Sequence, residues 1–157
     1  MQVRTAETGD AEAMSRILKA ITAATGRERP SDVAFVLSTY VRHPAGILCS
    51  VAVSELNEVV GFQSLIRAVP GNPYDVEAGG GIIGTHIDPL AHRAGIGKAL
   101  FAISRAAAAS AGFERIDAKI GRGNHAALRY YEALSFRTYR EEADAIHKVF
   151  EVTTEAS

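Results

Sequence analysis

The sequence has a single cysteine, no tryptophan, no excess of charge of either sign and no long hydrophobic run. Its one cysteine, Cys49, cannot form an intramolecular disulfide or a cysteine pair at zinc-ligand spacing, so we expect a reducing compartment and no metal. Seventeen Lys and Arg residues balance eighteen Asp and Glu residues, which argues against bulk electrostatic binding to nucleic acid or to an anionic membrane. No apolar run approaches the ~20 residues that span a bilayer, and no secretory signal is recognisable, so we expect a cytoplasmic protein.

The residues that are present are typical of one soluble globular domain. Hydrophobic residues make up 47% of the chain and charged residues 22%, which is enough apolar surface to form a core. A length of 157 residues fits one domain and leaves little room for a second. We expect this domain to cover residues 1–152, followed by a polar C-terminal tail over residues 153–157.

Hydrophobic periodicity predicts strands and helices in the order β-α-α-β-β-β-α-β-α-β-β. The expected strands cover residues 2–5, 47–54, 59–68, 82–88, 115–120, 136–140 and 145–152. The expected helices cover residues 11–24, 30–43, 97–111 and 124–134. The order combines an antiparallel hairpin with one strand-helix-strand crossover over residues 82–120, whose two strands should be parallel. We therefore expect an α+β fold with one mixed sheet and helices on both faces.

The most informative stretch runs from Thr85 to Leu100 and is predicted to be a strand, a turn and a helix. Gly95 and Gly97 remove side chains where the helix begins, so free N–H groups and the positive end of the helix dipole could bind an anion such as a pyrophosphate. A Walker A loop is excluded because Ala99 stands where Ser or Thr is required. A dinucleotide-binding turn needs a third glycine at Leu100 and stays open as a weaker alternative.

Two segments carry a family resemblance. Residues 92–97, His-Arg-Ala-Gly-Ile-Gly, resemble the (Gln/Arg)-x-x-Gly-x-(Gly/Ala) turn of the GNAT superfamily of acetyl-CoA-dependent N-acetyltransferases, with His92 as a departure at the first position. Residues 124–136 are similar to the family's Asn-x-x-Ala-x-x-x-Tyr-Glu-x-Leu-Gly-Phe segment, with Ser135 in place of glycine. Both motifs occur at the family's separation, and the element order over residues 1–152 agrees with the family's fold. The sequence is therefore identified as a member of this superfamily, with one N-acetyltransferase domain.

The resemblance implies how the cosubstrate, acetyl-CoA, is bound. One mixed, mostly antiparallel sheet would contain a central pair of parallel, splayed strands, and the cosubstrate would fill the gap between them. Backbone groups around Ile87 would pair with the pantetheine arm, and residues 93–98 would wrap the pyrophosphate. The implied cofactor-binding residues are Ile87, His92, Arg93, Ala94, Gly95, Ile96, Gly97, Lys98, Asn124, Ala127 and Tyr131.

Catalytic roles are implied less completely. Tyr131 matches the family's tyrosine that protonates the departing CoA thiolate, and Tyr130 is its rival, about 100° away on the same helix. The family's general base projects from the strand before the glycine turn, where alternation places the non-titrating Thr85 on the matching face. His86, on the opposite face, and Glu77, in the preceding loop, are the candidate bases.

The expected function is transfer of an acetyl group from acetyl-CoA to a primary amine of a small molecule or peptide, by direct attack in a ternary complex. The alternative is a non-catalytic CoA-binding sensor or assembly module of the same fold. The resemblance suggests a homodimer. Two acceptor classes stay open: Arg27, Arg29 and Arg42 could hold a carboxylate or phosphate, whereas Asp75, Glu77, Glu141 and Glu142 would suit a cationic amine.

Overall fold

The chain adopts the predicted order of strands and helices, with small shifts of the boundaries. The structure, a computed structural model, describes residues 1–91 and 95–152, so the predictions for His92, Arg93, Ala94 and the tail over 153–157 lie outside the described residues. The strands are β1 (Gln2–Thr5), β2 (Gly46–Val53), β3 (Val59–Arg67), β4 (Gly81–Ile87), β5 (Arg115–Gly121), β6 (Arg137–Glu141) and β7 (Ala145–Glu151). The helices are α1 (Ala11–Thr25), α2 (Val33–Val36), α3 (Ile96–Ser110) and α4 (His125–Ala133).

All seven strands form one sheet in the order β1-β2-β3-β4-β5-β7-β6. Every neighbouring pair is antiparallel except β4 and β5, which are parallel and joined by the crossover through α3. The α+β class, the mixed sheet and its central parallel pair are therefore confirmed.

The parallel strands pair only at their beginning. Cα partners across β4 and β5 are limited to Gly81 with Ile116 and Ile82 with Asp117. Beyond these rows β4 keeps pairing with β3 as far as Ile87, and β5 keeps pairing with β7 as far as Gly121. Each strand thus follows its outer neighbour, and a gap opens between their carboxyl ends. The splayed pair implied by the GNAT resemblance is confirmed.

One face of the sheet is covered by α1 and α2. In α1, Met14 and Leu18 are fully buried against Val51 and Phe62, as helical spacing of apolar residues requires. The second helix differs from the prediction. It makes one α-helical turn, capped by the Asp32 side chain, and then widens into a π-helical turn over Leu37–Val41. The widened turn places Tyr40 in the core.

The other face is covered by α3 and α4. Phe101 of α3 packs with Leu65 and Ile83, and Tyr131 of α4 joins the same cluster. Ser135, which follows α4 where the family has glycine, adopts a φ of 76°. This left-handed conformation, which glycine adopts without steric cost, explains why the family motif carries glycine there.

Within residues 1–91 and 95–152, no helix is both long enough and apolar enough to span a membrane. The same residues contain no group of three or more His, Cys, Asp or Glu side chains arranged to hold a metal ion.

Candidate active site

Two cavities lie beside the gap between β4 and β5. One, of about 410 Å³, is lined by β4, the end of β5, the start of α4 and the segment that follows α1, and it reaches Tyr131. The other, of about 450 Å³, is lined by Ile87, the first turn of α3 and the face of α4 that carries Tyr130. The two neighbouring tyrosines therefore face different cavities, as their angular separation on the helix predicts.

The first turn of α3 lines the 450 Å³ cavity. Gly95 lies at the helix N-cap with a φ of 97°, and having no side chain it leaves the first N–H groups of the helix uncapped. The Tyr130 ring occupies the space that a Cβ on Gly97 would need. Gly95, Ile96, Gly97 and Lys98 line this cavity together with Ile87, so the structure brings together the described residues that were implied for pyrophosphate and pantetheine binding.

Tyr130 is held by two hydrogen bonds of fixed direction. Its hydroxyl donates to the carbonyl oxygen of Gly97 at 2.7 Å and accepts from Nε2 of Gln63 at 3.0 Å. A carbonyl oxygen can only accept and an amide nitrogen can only donate, so the single hydroxyl proton of Tyr130 is committed to Gly97. Tyr130 therefore has no proton left to donate into a cavity.

Tyr131 is held differently. Its hydroxyl oxygen lies 2.8 Å from Oγ1 of Thr85, which in turn accepts from Nε2 of Gln63 at 2.9 Å. Either hydroxyl can be the donor in this pair, because Oγ1 of Thr85 has a second lone pair beside the one that accepts from Gln63. When Thr85 is the donor, the Tyr131 hydroxyl can turn its proton toward the 410 Å³ cavity that this residue lines.

Burial keeps both tyrosines protonated. It raises the pKa of Tyr130 to about 12 and raises the pKa of Tyr131 above its ordinary value of ~10. The hydrogen bond from Thr85 opposes this rise at Tyr131, because it stabilises the phenolate. The cavity thus presents one buried hydroxyl that holds its proton at neutral pH and has a stabilising partner for the ionised form.

A protein-family model for the acetyltransferase (GNAT) family matches residues 12–136. The chain belongs to the GNAT acetyltransferase family. GNAT acetyltransferases use acetyl-CoA as cosubstrate, so the cosubstrate expected from the two motifs is confirmed. A search of curated protein sequences finds no significant match.

Solved GNAT structures share the fold across the whole chain. A GCN5-related N-acetyltransferase from Kribbella flavida is 20% identical, with a TM-score of 0.79 and 96% of each chain covered. YncA from Salmonella typhimurium, solved with its cofactor acetyl-CoA, is 20% identical, with a TM-score of 0.74 and coverage of 99% of this chain and 96% of that one. A ribosomal-protein-alanine N-acetyltransferase from Brucella melitensis is 19% identical, with a TM-score of 0.75 and coverage of 96% and 99%.

The helix α4, which follows β5, begins beside the 410 Å³ cavity that Tyr131 lines. Asn124 caps α4, because its side chain accepts a hydrogen bond from the Ala127 amide at 3.1 Å. Both residues also line the 410 Å³ cavity. The capping role and the implied contact with the cosubstrate are therefore compatible at these positions.

His86 also lines the 410 Å³ cavity, on the side of α1 and α2. Its half-buried ring lies 4.8 Å from the Phe62 ring and 5.4 Å from the Tyr40 ring, measured between centroids. Desolvation by these neighbours, together with the Arg29 guanidinium 3.5 Å from its Nδ1 atom, lowers the pKa of His86 to about 3. His86 is neutral at physiological pH.

Glu77 lies away from both cavities. Its side chain is 79% exposed and pairs with Arg115 at 3.2 Å, at the start of β5 rather than at the splayed end.

Cys49 is 7% exposed in β2, and burial raises the pKa of its thiol to about 12. Both observations fit a small hydrophobic residue of the core.

Sequence reasoning missed Gln63, which directs the hydrogen bonds of both tyrosines. Its sequence signal was the polar pair Gln63-Ser64 in the middle of a mostly apolar strand, Val59–Arg67. The residue is fully buried, and buried polar side chains usually have hydrogen-bond partners that fix their place. The pairing of this strand with β4, which places Gln63 opposite Thr85, follows only from the folded sheet.

Proposed function

We propose that this GNAT protein is an N-acetyltransferase that transfers an acetyl group from acetyl-CoA to a primary amine of a small molecule or peptide, by direct attack in a ternary complex. The observation that carries the proposal is the Tyr131 hydroxyl, a buried proton donor that lies against a cavity at the splayed end of β4 and β5 and shares a hydrogen bond with Thr85. A CoA-binding sensor has no use for such a proton, so the non-catalytic alternative is not favoured.

The residues around the gap fit acetyl-CoA. The uncapped N–H groups at the start of α3 suit a pyrophosphate, and the missing side chains of Gly95 and Gly97 allow close approach to the backbone. Backbone groups of β4 near Ile87 have no strand partner on the side of the gap. Asn124 and Ala127 would contact the cosubstrate from α4, and His92, Arg93 and Ala94 stay predictions.

Tyr131 acts as the general acid in this proposal. When bound, acetyl-CoA supplies the thioester whose carbonyl carbon the amine attacks and whose thiolate must be protonated. Tyr131 gives its hydroxyl proton to this thiolate, and Thr85 then stabilises the phenolate that remains by donating a hydrogen bond to it. Gln63 holds the Thr85 hydroxyl in place by donating a hydrogen bond to its Oγ1 atom.

The amine proton is proposed to leave through solvent in the open cavity. His86, with its pKa lowered to about 3, is a weak proton acceptor at pH 7. Deprotonating an alkyl amine of pKa ~10.4 at pH 7 costs about 4.6 kcal/mol, and this cost falls as the pH rises. Glu77 and His86 stay predictions as bases.

Ligand binding and turnover test the proposal in sequence. Acetyl-CoA or CoA at 100 times its dissociation constant should stabilise the fold by ~2.7 kcal/mol, a rise of roughly 5 to 11 °C in the melting temperature, whereas NADH and ATP should give no comparable shift. Thiol release with an amine panel then measures turnover. The one cysteine of the chain, Cys49, is buried and should not contribute thiol signal.

Two tyrosine variants separate catalysis from binding. Tyr131→Phe should lower kcat about 100-fold while acetyl-CoA binding persists, as expected for loss of a general acid. Tyr130→Phe, the matched control one residue away, should lower kcat by no more than about tenfold, because it removes hydrogen bonds but no transferable proton. Binding of CoA without turnover on any amine, with Tyr131→Phe having no effect, would identify a sensor instead.

A further inference from the structure

The cavity in front of Tyr131 has a charged rim that the proposed chemistry does not use. Arg27, Arg29 and Lys119 line it together with Glu28 and Asp144. We propose that this cavity selects an acceptor amine that also carries a carboxylate or a comparable oxyanion, with Arg27 as the residue that binds the anion. This inference rests on the proposed N-acetyltransferase function and names its substrate class.

Arg27 is the cation that the fold leaves available. Its guanidinium lies against Gly121, the last residue of β5, in the space where any side chain at position 121 would begin. Among the described residues, the guanidinium forms no ion pair and no hydrogen bond. Five N–H donors in a planar fork are therefore free at the edge of the cavity, an arrangement that matches a carboxylate or phosphate.

The two other cations on the rim are already engaged. Arg29 donates to the Tyr40 hydroxyl at 2.7 Å, and Lys119 lies 4.0 Å from the Glu142 carboxylate. They add positive potential to the cavity without offering a free fork. Arg42, the third arginine considered from the sequence, does not line this cavity.

Of the four acidic residues that would favour a purely cationic acceptor, Asp75 lies outside the cavity, and the other three are paired elsewhere. Glu77 pairs with Arg115, Glu141 pairs with Arg122 at 3.4 Å, and Glu142 bonds His147 at 2.7 Å. None of these three carboxylates lines the cavity. The carboxylates that do line it, on Glu28 and Asp144, leave room for an ammonium group in the same ligand, as in a zwitterion.

Matched pairs of acceptors test the inference. Glycine is compared with glycinamide, alanine with alaninamide, and phosphoethanolamine with ethanolamine, so that each pair differs in one anionic group and the last pair distinguishes phosphate from carboxylate. The anionic member should have a KM at least about tenfold lower, the size expected for one charge-assisted hydrogen-bonded contact. Saturation-transfer NMR in the presence of CoA measures acceptor binding without turnover.

Variants assign the effect to Arg27. Arg27→Gln should raise the KM of the anionic member at least about tenfold with kcat changed by less than about twofold, and should leave the neutral member unchanged. Gly121→Ala should reproduce this shift, because the new methyl group displaces the guanidinium. Arg16→Gln, which changes an exposed arginine of α1 outside the cavity, should affect neither member.

The outcomes separate the two proposals. Equal KM values within every pair, or equal effects of Arg27→Gln on both members, would overturn the anionic acceptor while the acetyltransferase stands. Preference for alaninamide, which mimics the first residue of a peptide, would overturn it in favour of a peptide N-terminus. If no amine is acetylated although acetyl-CoA binds, the proposed function fails, and the NMR comparison of acid with amide still decides whether the cavity binds the anion.

Discussion

Gln63 is a single buried side chain that orders the hydrogen bonds of two tyrosines. Its Nε2 atom donates to Tyr130 and to Thr85, Tyr130 donates to Gly97, and Tyr131 shares a hydrogen bond with Thr85. The two neighbouring tyrosines therefore have different hydrogen-bond partners. These partners lie on other strands and helices, so the identity of the two residues does not reveal them.

Removal of the Gln63 amide tests the importance of this arrangement. In Gln63→Leu, Thr85 loses the hydrogen bond that holds its hydroxyl against Tyr131. We expect kcat to fall by up to about tenfold with little change in the KM for acetyl-CoA, the size of one lost hydrogen bond. Thr85→Val should have a similar effect, and the double variant should be no worse than the poorer single variant. Additive losses would show that the two side chains act independently.

His86 should make the fold sensitive to acid. The unfolded chain protonates His86 below its ordinary pKa of ~6.5, whereas the folded protein does so only near pH 3, so the unfolded state binds more protons between these values. The free energy of unfolding should therefore fall as the pH decreases through this window, by about 2.7 kcal/mol at pH 4.5 from His86 alone. Urea unfolding of the wild type and His86→Gln at pH 7 and 4.5 measures the difference. An identical pH dependence in both proteins would contradict it.

At the scale of elements, the helix α3 and the helix α4 together form the cavity proposed for the cosubstrate. The first turn of α3 supplies uncapped N–H groups, and Tyr130 of α4 packs directly over Gly97. The φ of Gly97 is in the ordinary helical range, so the backbone conformation does not require glycine at this position. Glycine is required because the Tyr130 ring approaches so closely. The contact also holds the two helices at the separation that keeps the cavity open.

Gly97→Ala should therefore be destabilising. Alanine in place of glycine inside a helix normally stabilises it by ~1 kcal/mol, but here the methyl group meets the Tyr130 ring, and overpacking typically costs about 1 to 3 kcal/mol. We expect a lower melting temperature and weaker acetyl-CoA binding. Gly9→Ala is the control, since a Cβ at Gly9 meets nothing within 4 Å. Equal melting temperatures and equal acetyl-CoA binding in the two variants would show that the contact between Gly97 and Tyr130 affects neither stability nor binding.

At the scale of the whole molecule, the sheet brings two cavities to one gap. The cavity proposed for the cosubstrate is formed by the first turn of α3 and by α4, and the cavity proposed for the acceptor reaches the segment after α1. Tyr131 lines the second of these cavities, and Tyr130, its neighbour on α4, lines the first. Two neighbouring cavities suit the proposed direct transfer, which needs both substrates to be bound at once.

The pH dependence of turnover reports on the acceptor. His86 is neutral throughout the range from pH 7 to 9, so ionisation of the amine itself should control the rate. For an alkyl amine of pKa ~10.4, kcat/KM for the acceptor should rise close to tenfold per pH unit across this range. Steady-state rates at constant ionic strength measure it. A plateau below pH 8 for such an amine would show that a group on the protein, such as Glu77, takes the proton.

The sequence by itself determined the element order, the parallel crossover and the glycine-bearing turn. These follow from local periodicity and from residues close together in the chain, where backbone geometry limits the choices. The acid role of Tyr131 is implied by the resemblance of residues 124–136 to the GNAT motif and stays a prediction. Only the tertiary structure decided that β4 and β5 separate after two paired rows, that Gln63 faces Thr85, and that Arg27 lies against Gly121. Strand register and hydrogen-bond direction depend on residues far apart in sequence, and these contacts exist only once the sheet has formed.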